Sequence, residues 1–296
     1  MNDLMIMNDV VAWRSRWVMC LSFRVAWCWC LGGGLLGIIG GEGSAHACEM
    51  QSSSLSESEM FRRHLIGSCT SDERGNHIIK AAEVLKALQE GRHVDLSGVM
   101  VSADLMLDQL PVLTVTEISK LSPVAGRILE DRNIQDGRMI LGSLSLRHVE
   151  VQGNWATNLR NDVIFFNEDV LMAETTFQQS IDFTQSVFLK SVDFSRSVVA
   201  YEGFFIRTQF DGLAIFDGVE FGTHSRFHKA QFRQDVSFSG SHFRGIAEFL
   251  EVVFTRKTNF EKTRFEMGTG FSGAQFDGPL LFVDAHFVRE VFFRFS

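Results

Sequence analysis

Two cysteines are the residues of this 296-residue chain whose spacing most directly indicates chemistry. Three others, Cys20, Cys28 and Cys30, lie in or near an apolar N-terminal segment, so that Cys48 and Cys69 remain beyond it. An even pair of cysteines in an oxidising compartment indicates a disulfide. The cysteine spacing fits no metal site, and we expect no metal and no other cofactor.

Motifs of catalysis are absent from the sequence. It contains no Gly-rich phosphate loop, no Ser/His/Asp order and no HExxH pair. Carboxylates such as Asp182 and Asp193 are interpreted as part of a solvated face rather than as an acid/base couple. We therefore expect a protein that is not an enzyme. The alternative is an enzyme with a site in the irregular region 108–172.

The first 47 residues are typical of a secretory signal. Three arginines, the last of them Arg24, precede an uncharged apolar segment at 25–41, and small residues stand at Ala45 and Ala47. A positive start, an apolar stretch and an A-x-A end predict cleavage after Ala47. The predicted location is therefore secreted or periplasmic.

Two questions about this leader stay open. Translation starts either at Met1 or at Met19, since Arg24 fits badly inside a longer apolar segment. The leader could also stay uncleaved as a membrane anchor, although its apolar stretch is short for a spanning helix. Cys48 directly follows the predicted cleavage site, as the lipidated cysteine of bacterial lipoproteins does, so a lipid anchor at Cys48 is the alternative to the disulfide.

Phenylalanine recurs with a strict period of 11 in the C-terminal part of the chain. Of 28 Phe residues, 21 fall into two sets that each step by 11. The first set is Phe177, Phe188, Val199, Phe210, Phe221, Phe232, Phe243, Phe254, Phe265, Phe276 and Phe287. The second set is Phe183, Phe194, Phe205, Phe216, Phe227, Phe238, Phe249, Phe260, Phe271, Phe282 and Phe293. We predict that the twelve from Phe210 to Phe271 form the structural core. Phe166 and Met172 extend the pattern upstream, and Trp155 is a further candidate.

The residue two positions before each Phe is uncharged and nearly always small or β-branched, as Ser186 and Val192 are. Residues two apart on an extended chain point to the same side, so each Phe and its companion share an inward face. Steps of 5 and 6 would place the two sets about 140° apart on an α-helix, which gives two stripes rather than one seam. The pattern therefore predicts stacked short strands.

Residues from about 172 to 293 resemble the pentapeptide-repeat family, whose units read roughly small, Asp/Asn, Leu/Phe, x, x. The segments that carry the resemblance are Ser-Val-Asp-Phe-Ser at 191–195 and Gly-Ala-Gln-Phe-Asp at 273–277. The resemblance implies an all-β fold, a right-handed quadrilateral β-helix with four faces per coil. Alternate units here have a sixth residue, so we predict that one coil of four units spans two full periods of the Phe pattern, with the extra residue bulging at alternate corners.

Coils that span two periods would stack outward side chains into columns. One column is Glu220, His242, Arg264 and His286, and the next is Gln209, Gln231, Val253 and Gln275. With about 4.8 Å between stacked strands, the first column could bind an anion or respond to pH. Two histidines separated by an arginine make a poor metal site. We interpret both columns as surface ladders.

The residues between the leader and the regular repeats are predicted in three parts. Residues 48–76 are interpreted as a Ser-rich linker, and 77–93 as an amphipathic helix that caps the open end of the stack. Residues 94–172 are predicted to form irregular early coils with an insertion at 115–133, either a loop or a short helix. The regular β-helix then spans 173–296.

The last coil of the sequence is unusually apolar. Phe292 occupies a position that should face outward, and Phe293 and Phe295 follow it. An apolar coil end favours pairing with a second copy of the chain. We predict a possible homodimer edge at these three residues; the alternative is an exposed, slightly frayed end.

Charge narrows the classes of partner. Residues 161–296 hold 13 Lys and Arg beside 18 Asp and Glu, with the signs mixed, which argues against a nucleic-acid binder. Quinolone-resistance relatives in the family present acidic faces to DNA gyrase, but they are cytoplasmic, so a DNA mimic is the least favoured reading. The predicted function is an exported, non-catalytic scaffold or protein-binding module of the bacterial cell envelope. Its protein partner is unknown, and membrane contact is expected only through the signal, an anchor or a lipidated Cys48.

Overall fold

Four-sided coils stacked on one another form most of the protein. The structure, a computed structural model, describes residues 48–51, 59–156 and 162–294, all of them within one unit of the chain, Ser44–Ser296. The predicted signal, its cleavage after Ala47, and Phe295 lie outside the described residues.

Each side of the stack is a sheet, and the four faces are numbered in the order in which the chain reaches them. Face 1 consists of Glu49–Gln51, Met60–Ile66, His93–Ser97, Leu144–Arg147, Val170–Leu171, Val192–Asp193, Ala214–Ile215, Val236–Ser237, Thr258–Asn259 and Leu280–Leu281. Face 2 consists of Ile78–Lys80, Met100–Ser102, Glu150–Val151, Thr176–Phe177, Val198–Val199, Glu220–Phe221, His242–Phe243, Arg264–Phe265 and His286–Phe287. Face 3 consists of Leu105–Met106, Trp155–Ala156, Ile181–Asp182, Glu202–Phe204, His224–Arg226, Ile246–Glu248, Thr269–Gly270 and Val291–Phe292. Face 4 consists of Leu113–Thr114, Asp136–Ile140, Ile164–Phe166, Val187–Phe188, Gln209–Phe210, Gln231–Phe232, Val253–Phe254 and Gln275–Phe276.

The register between successive regular coils equals two periods of the Phe pattern. Phe188 pairs with Phe210, and Phe210 pairs with Phe232, in parallel. Among the described strands, the outermost pair of face 1 and that of face 4 are antiparallel, and the other pairs are parallel. Parallel sheets with few helices confirm the predicted β-helix. The hand of the coil and the capping role of the N-terminal helix stay predictions.

Phenyl rings fill the inside of the coil. The twelve rings from Phe210 to Phe271 are each no more than 1% exposed. Along one face the rings stack nearly parallel, as Phe210 and Phe232 do with centroids 4.6 Å apart and planes 0° apart. Rings on opposite faces meet edge to face across the coil, as Phe227 and Phe238 do at 5.5 Å and 89°. Both are favourable arrangements of aromatic quadrupoles, so every inner ring contacts others along and across the stack.

Two kinds of corner explain why short and long steps alternate between the rings. The shorter steps make a tight turn, as where Ser186 N donates to Phe183 O at 3.0 Å and Gln185 has a φ of 60°. The longer steps make a wider bend that lies close on the coil before. At one of them, a Cβ on Gly212 would lie 2.3 Å from the carbonyl carbon of Lys190, so only glycine fits.

Buried hydroxyls satisfy carbonyl groups of the preceding coil. The inward hydroxyl of Thr208 donates to Phe183 O at 2.8 Å, and that of Thr263 donates to Phe238 O at 2.7 Å. Both residues are 0% exposed. Thr258 is also buried, but its hydroxyl finds no hydrogen-bond partner among the described residues. The same kind of small slot therefore holds one hydroxyl that is paired and another that is not.

The predicted linker at 48–76 is wrong for its described residues. Glu49–Gln51 pairs antiparallel with Met60–Ile66, which in turn pairs with His93–Ser97, and helix α1 (Ser71–Gly75) follows. Phe61 alternates inward into the core at 5% exposure, so that this segment is part of face 1 rather than a tether.

The predicted helix at 77–93 is shorter than expected. Ile78–Lys80 is a strand of face 2, paired with Met100–Ser102, and helix α2 covers Ala81–Gln89. The apolar spacing is ambiguous here because Ile79 points into the same core as the helix. Helix α2 packs five buried residues on strands of faces 1, 2 and 3, which are Ala81, Val84, Leu85, Ala87 and Leu88.

The early coils are more regular than predicted, apart from one insertion. A 3-10 turn at Leu107–Gln109 leads to helices α3 (Val115–Leu121) and α4 (Pro123–Asp131). Thr114 and Ser122 cap these helices with their hydroxyls. The helices cross closely, since a Cβ on Gly126 would lie 2.9 Å from Ser119 Cα. None of the helices in the described part of the chain has the length and apolar character that a membrane crossing needs.

Trp155 lies in a different inner column from the one proposed for it. Trp155 pairs with Ile181, which is the companion residue two positions before Phe183, and is 1% exposed. The companion column is therefore wide enough for an indole at this level of the stack.

Replacing one inner ring tests how much the stack depends on its middle. Phe227→Ala should lower the free energy of unfolding by about 3–5 kcal/mol, because a cavity forms among rings that cannot collapse into it. The control is Phe287→Ala in the last described coil, where the ring is partly buried and stacks on Phe265. Phe287→Ala should lower the free energy of unfolding by less than Phe227→Ala does. Equal losses in urea denaturation would contradict this arrangement.

Two threonines test the value of the buried hydroxyls. Thr208→Val should cost about 1 kcal/mol of unfolding free energy, because it removes a buried hydrogen bond. Thr258→Val should be neutral or stabilising, because that hydroxyl is buried without a partner among the described residues. Val252 occupies the slot of Thr208 two coils later and Val219 occupies the matching slot on face 2; both are buried, so valine fits. The measurement is equilibrium denaturation of both variants, and a larger loss for Thr258→Val would refute the assignment.

Candidate functional site

A cluster of charged side chains on face 3 is the densest polar group on the regular coils. It consists of His224, Arg226, His228 and Glu248, called here the face 3 cluster. The strands His224–Arg226 and Ile246–Glu248 are adjacent in the sheet, and His224 pairs with Ile246. Outward residues of one strand therefore lie beside those of the next, which brings side chains of different coils into contact.

Glu248 lies at the centre of the face 3 cluster. His224 Nε2 is 2.8 Å and His228 Nε2 is 3.1 Å from the same oxygen, Glu248 Oε2. Arg226 Nε is 3.4 Å from that oxygen, and the guanidinium lies 5.5 Å from the Phe204 ring centroid. One carboxylate thus accepts from up to three donors, and the cluster ties two coils together.

The face 3 cluster is not arranged as a metal site. Across the described residues, no group of three or more His, Cys, Asp or Glu is placed to hold a metal ion. The donors around Glu248 instead use its lone pairs in hydrogen bonds.

An apolar groove adjoins the cluster. Its volume is about 410 Å³, and Gly268 and Gly270 open it because they place no side chain on face 3. Ile246, Met267 and Phe292 line it and are 43%, 44% and 56% exposed. Face 3 therefore offers a charged centre beside an open apolar surface.

The two predicted columns exist in the register of the sheets. Glu220, His242, Arg264 and His286 are successive partners on face 2, and Gln209, Gln231, Val253 and Gln275 are successive partners on face 4. The first column does not pair within itself. Arg264 Nε and His242 Nε2 both contact Glu266 Oε1 in the neighbouring column, at 2.6 and 3.0 Å. The hydrogen bonds from Arg264 and His242 lower the pKa of Glu266.

The face 3 cluster was missed by the sequence analysis, although the period contains it. Adding two periods to the positions of His224 and Arg226 gives 246 and 248, and Glu248 is the acid that meets these two basic residues. The signal was therefore the register combined with opposite charge.

The remaining predicted residues lie at the two ends of the described chain. Cys48 and Cys69 form a disulfide, with Cα atoms 5.0 Å apart. Because a sulfur atom in a disulfide cannot carry a thioether, this bond and lipidation of Cys48 exclude each other. At the other end, Phe292 and Phe293 are 56% and 44% exposed.

A second charged group surrounds Asp95 on the first coils of face 1. Asp95 is 9% exposed, and its Oδ2 is 3.0 Å from Arg62 Nε and 3.1 Å from His64 Nε2. Burial opposes ionisation, but hydrogen bonds and charge from His64 and Arg62 outweigh it and lower the pKa of Asp95. A carboxylate that is easier to ionise when folded stabilises the folded state.

The low pKa of Asp95 predicts acid sensitivity with a definite sign. Its stabilising effect is complete above the pKa of an unfolded aspartate, about 4, and is lost as the pH falls through the lower folded value. The difference in unfolding free energy between wild type and Asp95→Asn should therefore be constant near neutral pH and shrink below pH about 4. Asp182→Asn, at a carboxylate that accepts from Thr184 N, is the control. A difference that stays constant from neutral pH into strong acid in urea titrations would contradict the assignment.

Comparison with known proteins places the repeats in a family. Residues 238–286 match the family model described as pentapeptide repeats (9 copies). No curated protein and no solved structure matched the chain. The matched residues include the rings from Phe238 to Phe282 that stack in the centre of the coil and carry the period of the whole regular segment. Residues 238–286 of the chain are therefore pentapeptide repeats of this family.

Proposed function

We propose that this protein is an exported, non-catalytic pentapeptide-repeat scaffold and protein-binding module of the bacterial cell envelope. The observation that carries the proposal is the construction of the outer surface. Its charged groups pair from coil to coil, as Arg196 does with Glu174 and Lys229 with Glu251. Such ladders present a rigid, flat surface of regular spacing, which suits binding better than catalysis.

The lack of converging catalytic groups around the face 3 groove, within the described residues, agrees with a binding role. The groove is open and mainly apolar, and the one carboxylate in its wall, Glu248, accepts from His224 and His228. An acid or base in an active site needs a free lone pair or proton directed at the substrate. The enzyme alternative in 108–172 has no comparable support, because the described part of that region forms coils and the helices α3 and α4.

Mixed charge disfavours the DNA-mimic alternative. A mimic of the phosphate backbone presents rows of acidic residues that are not neutralised. Here Glu174, Glu220 and Glu266 each contact an arginine, so the outward acids are partly neutralised by neighbours.

Export is supported by the leader together with the disulfide. The sequence at 1–47 has the features of a secretory signal, and the first residue after its predicted cleavage is one partner of the Cys48–Cys69 disulfide. Disulfides persist in oxidising compartments and are rare where thiols are kept reduced. The disulfide also favours a secreted or periplasmic product over a lipoprotein.

Export and the disulfide can be tested on one sample. Expressed in a Gram-negative host, the full chain should yield a periplasmic product whose mass corresponds to a chain that begins at Cys48. Thiol alkylation without reductant should leave Cys48 and Cys69 unmodified, because both sulfurs are bonded. The Ala47→Arg variant, in which the cleavage site is blocked, is the matched control and should keep its leader.

Two outcomes would contradict parts of the proposal. A full-length cytoplasmic product in which the thiols of Cys48 and Cys69 react would refute export. A diacylglycerol group on Cys48, detected by its mass, would show that the product is a lipoprotein rather than a soluble protein.

Light scattering on the processed protein tests the predicted homodimer edge. A mass of two chains that falls to one in Phe292→Ser supports the edge, and a monomer in both proteins removes it.

A further inference from the structure

Helices α3 and α4 form a hairpin on the outside of face 4, with an apolar core of its own. The buried helix residues are Ile118, Ala125, Ile128 and Leu129, and those of the face are Met139, Val163, Phe165 and Val187. This cluster is separate from the ring core inside the coil. Phe165 and Phe166 show the division, since Phe166 points inward to Phe188 while Phe165 points outward to the hairpin.

The outward column of face 4 changes character where the hairpin ends. Met139, Phe165, Val187 and Gln209 are successive partners in this column. The three apolar members lie beneath the hairpin, and Gln209 lies at its edge. We call Met139, Phe165 and Val187 the covered strip. Without the hairpin, the covered strip would be an exposed apolar patch on an otherwise polar face.

Polar contacts tie the end of α4, beside the base of the hairpin, to the coil, and we call Arg132, Gln209 and Asp211 the latch. Arg132, which follows α4, donates from Nη2 to Gln209 Oε1 at 2.7 Å, and Gln209 Nε2 donates to Asp211 Oδ1 at 2.7 Å. Arg233 Nη1 is 3.4 Å from the same Asp211 oxygen. Two cations, Arg132 and Arg233, lie near one carboxylate, that of Asp211. Burial and the charge of Arg233 lower the pKa of Arg132. The latch therefore holds with less electrostatic stabilisation than a simple ion pair.

The two helices of the hairpin form one structural unit. Its two helices cross tightly at Gly126 and Ser119, and each is capped from within, by Thr114 and by Ser122. Its base is a short antiparallel pairing, in which Leu113 faces Gly137 and Thr114 faces Asp136. Opening it would break this pairing, the latch and the apolar interface with face 4.

The coils are held more strongly than the hairpin. Each inner coil has ladder hydrogen bonds to the coil before and to the coil after on all four faces, in addition to the stacked rings. The hairpin has one apolar interface, the latch and the short base. Parts of a protein with fewer buried contacts open at lower free energy than the whole unfolds.

We propose that the α3–α4 hairpin is a hinged cover that opens as a unit while the β-helix stays folded, and that opening exposes the covered strip. The hinge is the segment between Leu110, whose carbonyl accepts from Arg138, and Leu113. It contains Pro111 and the exposed Val112. The cover gives the protein a second, conditional apolar surface on face 4.

Hydrogen exchange on the full chain tests the cover. Amides of 115–131 should exchange at least about tenfold faster than those of 225–265, because helices of seven and nine residues are not stable once they leave the coil, so that opening also breaks their internal hydrogen bonds. Arg132→Gln should accelerate the hairpin amides by roughly a further tenfold, the effect of losing a hydrogen bond from a charged group. It should leave 225–265 unchanged. Arg244→Gln, which removes a comparable contact to Glu220 on the regular coils, is the matched control.

A second readout follows the covered strip itself. In Val187→Cys, peptide-resolved labelling of the new thiol should be slow in the otherwise wild-type chain and about tenfold faster with Arg132→Gln. The proposal is overturned if hairpin and coil amides share one rate and one denaturant dependence, or if Arg132→Gln accelerates both regions equally. A residue 187 thiol whose labelling follows global unfolding alone would overturn it as well.

Discussion

A coil that lies directly on the next coil makes every inner residue a neighbour of its own equivalent one coil away. This self-neighbouring is the constraint on which the structure depends. A flat ring satisfies it well, because a ring can stack on an identical ring at about the spacing of the strands, as Phe243 and Phe265 do with centroids 4.9 Å apart. The Phe content and its period are therefore consequences of one geometric rule.

The stacking of equivalent residues also restricts which side chains can occupy the outer surface. Outward residues also meet their equivalents one coil away, and like charges at that distance repel. The structure avoids the repulsion by pairing across to the adjacent column, as Arg244 does with Glu220 and His224 with Glu248. These diagonal pairs connect successive coils. The face 3 cluster is the place where three donors converge on one acid in this way.

The period of the sequence was sufficient to predict the parts of the fold that repeat. The register between coils, the inner rings and the two outward columns follow from positions that differ by whole periods. Prediction failed where local pattern and long-range pairing give the same signal. Ile78 and Ile79 have helical spacing with the residues after them, yet Ile79 enters the core as part of a strand. Trp155 is aromatic but occupies a companion slot, since the segment near it departs from the regular step. The linker prediction at 48–76 came from serine content, which says nothing about Phe61 and Leu65 on the strand that follows.

The insertion between Leu107 and Gln135 shows why the functional surfaces were the hardest to foresee. Inside the coil, a residue's environment is set by its position in the period. Outside it, the environment depends on what is packed against the face, and the period carries no information about that. Val187 and Gln209 occupy equivalent outward positions on successive coils, and one is buried under a helix while the other bonds to Arg132. The change from an apolar residue at Val187 to a polar residue at Gln209 marks the position on face 4 where the hairpin ends. An apolar residue at an outward position of a repeat is thus explained where the chain itself covers it, whereas Ile246, Met267 and Phe292 are outward apolar residues on face 3 that stay exposed in the described part of the chain.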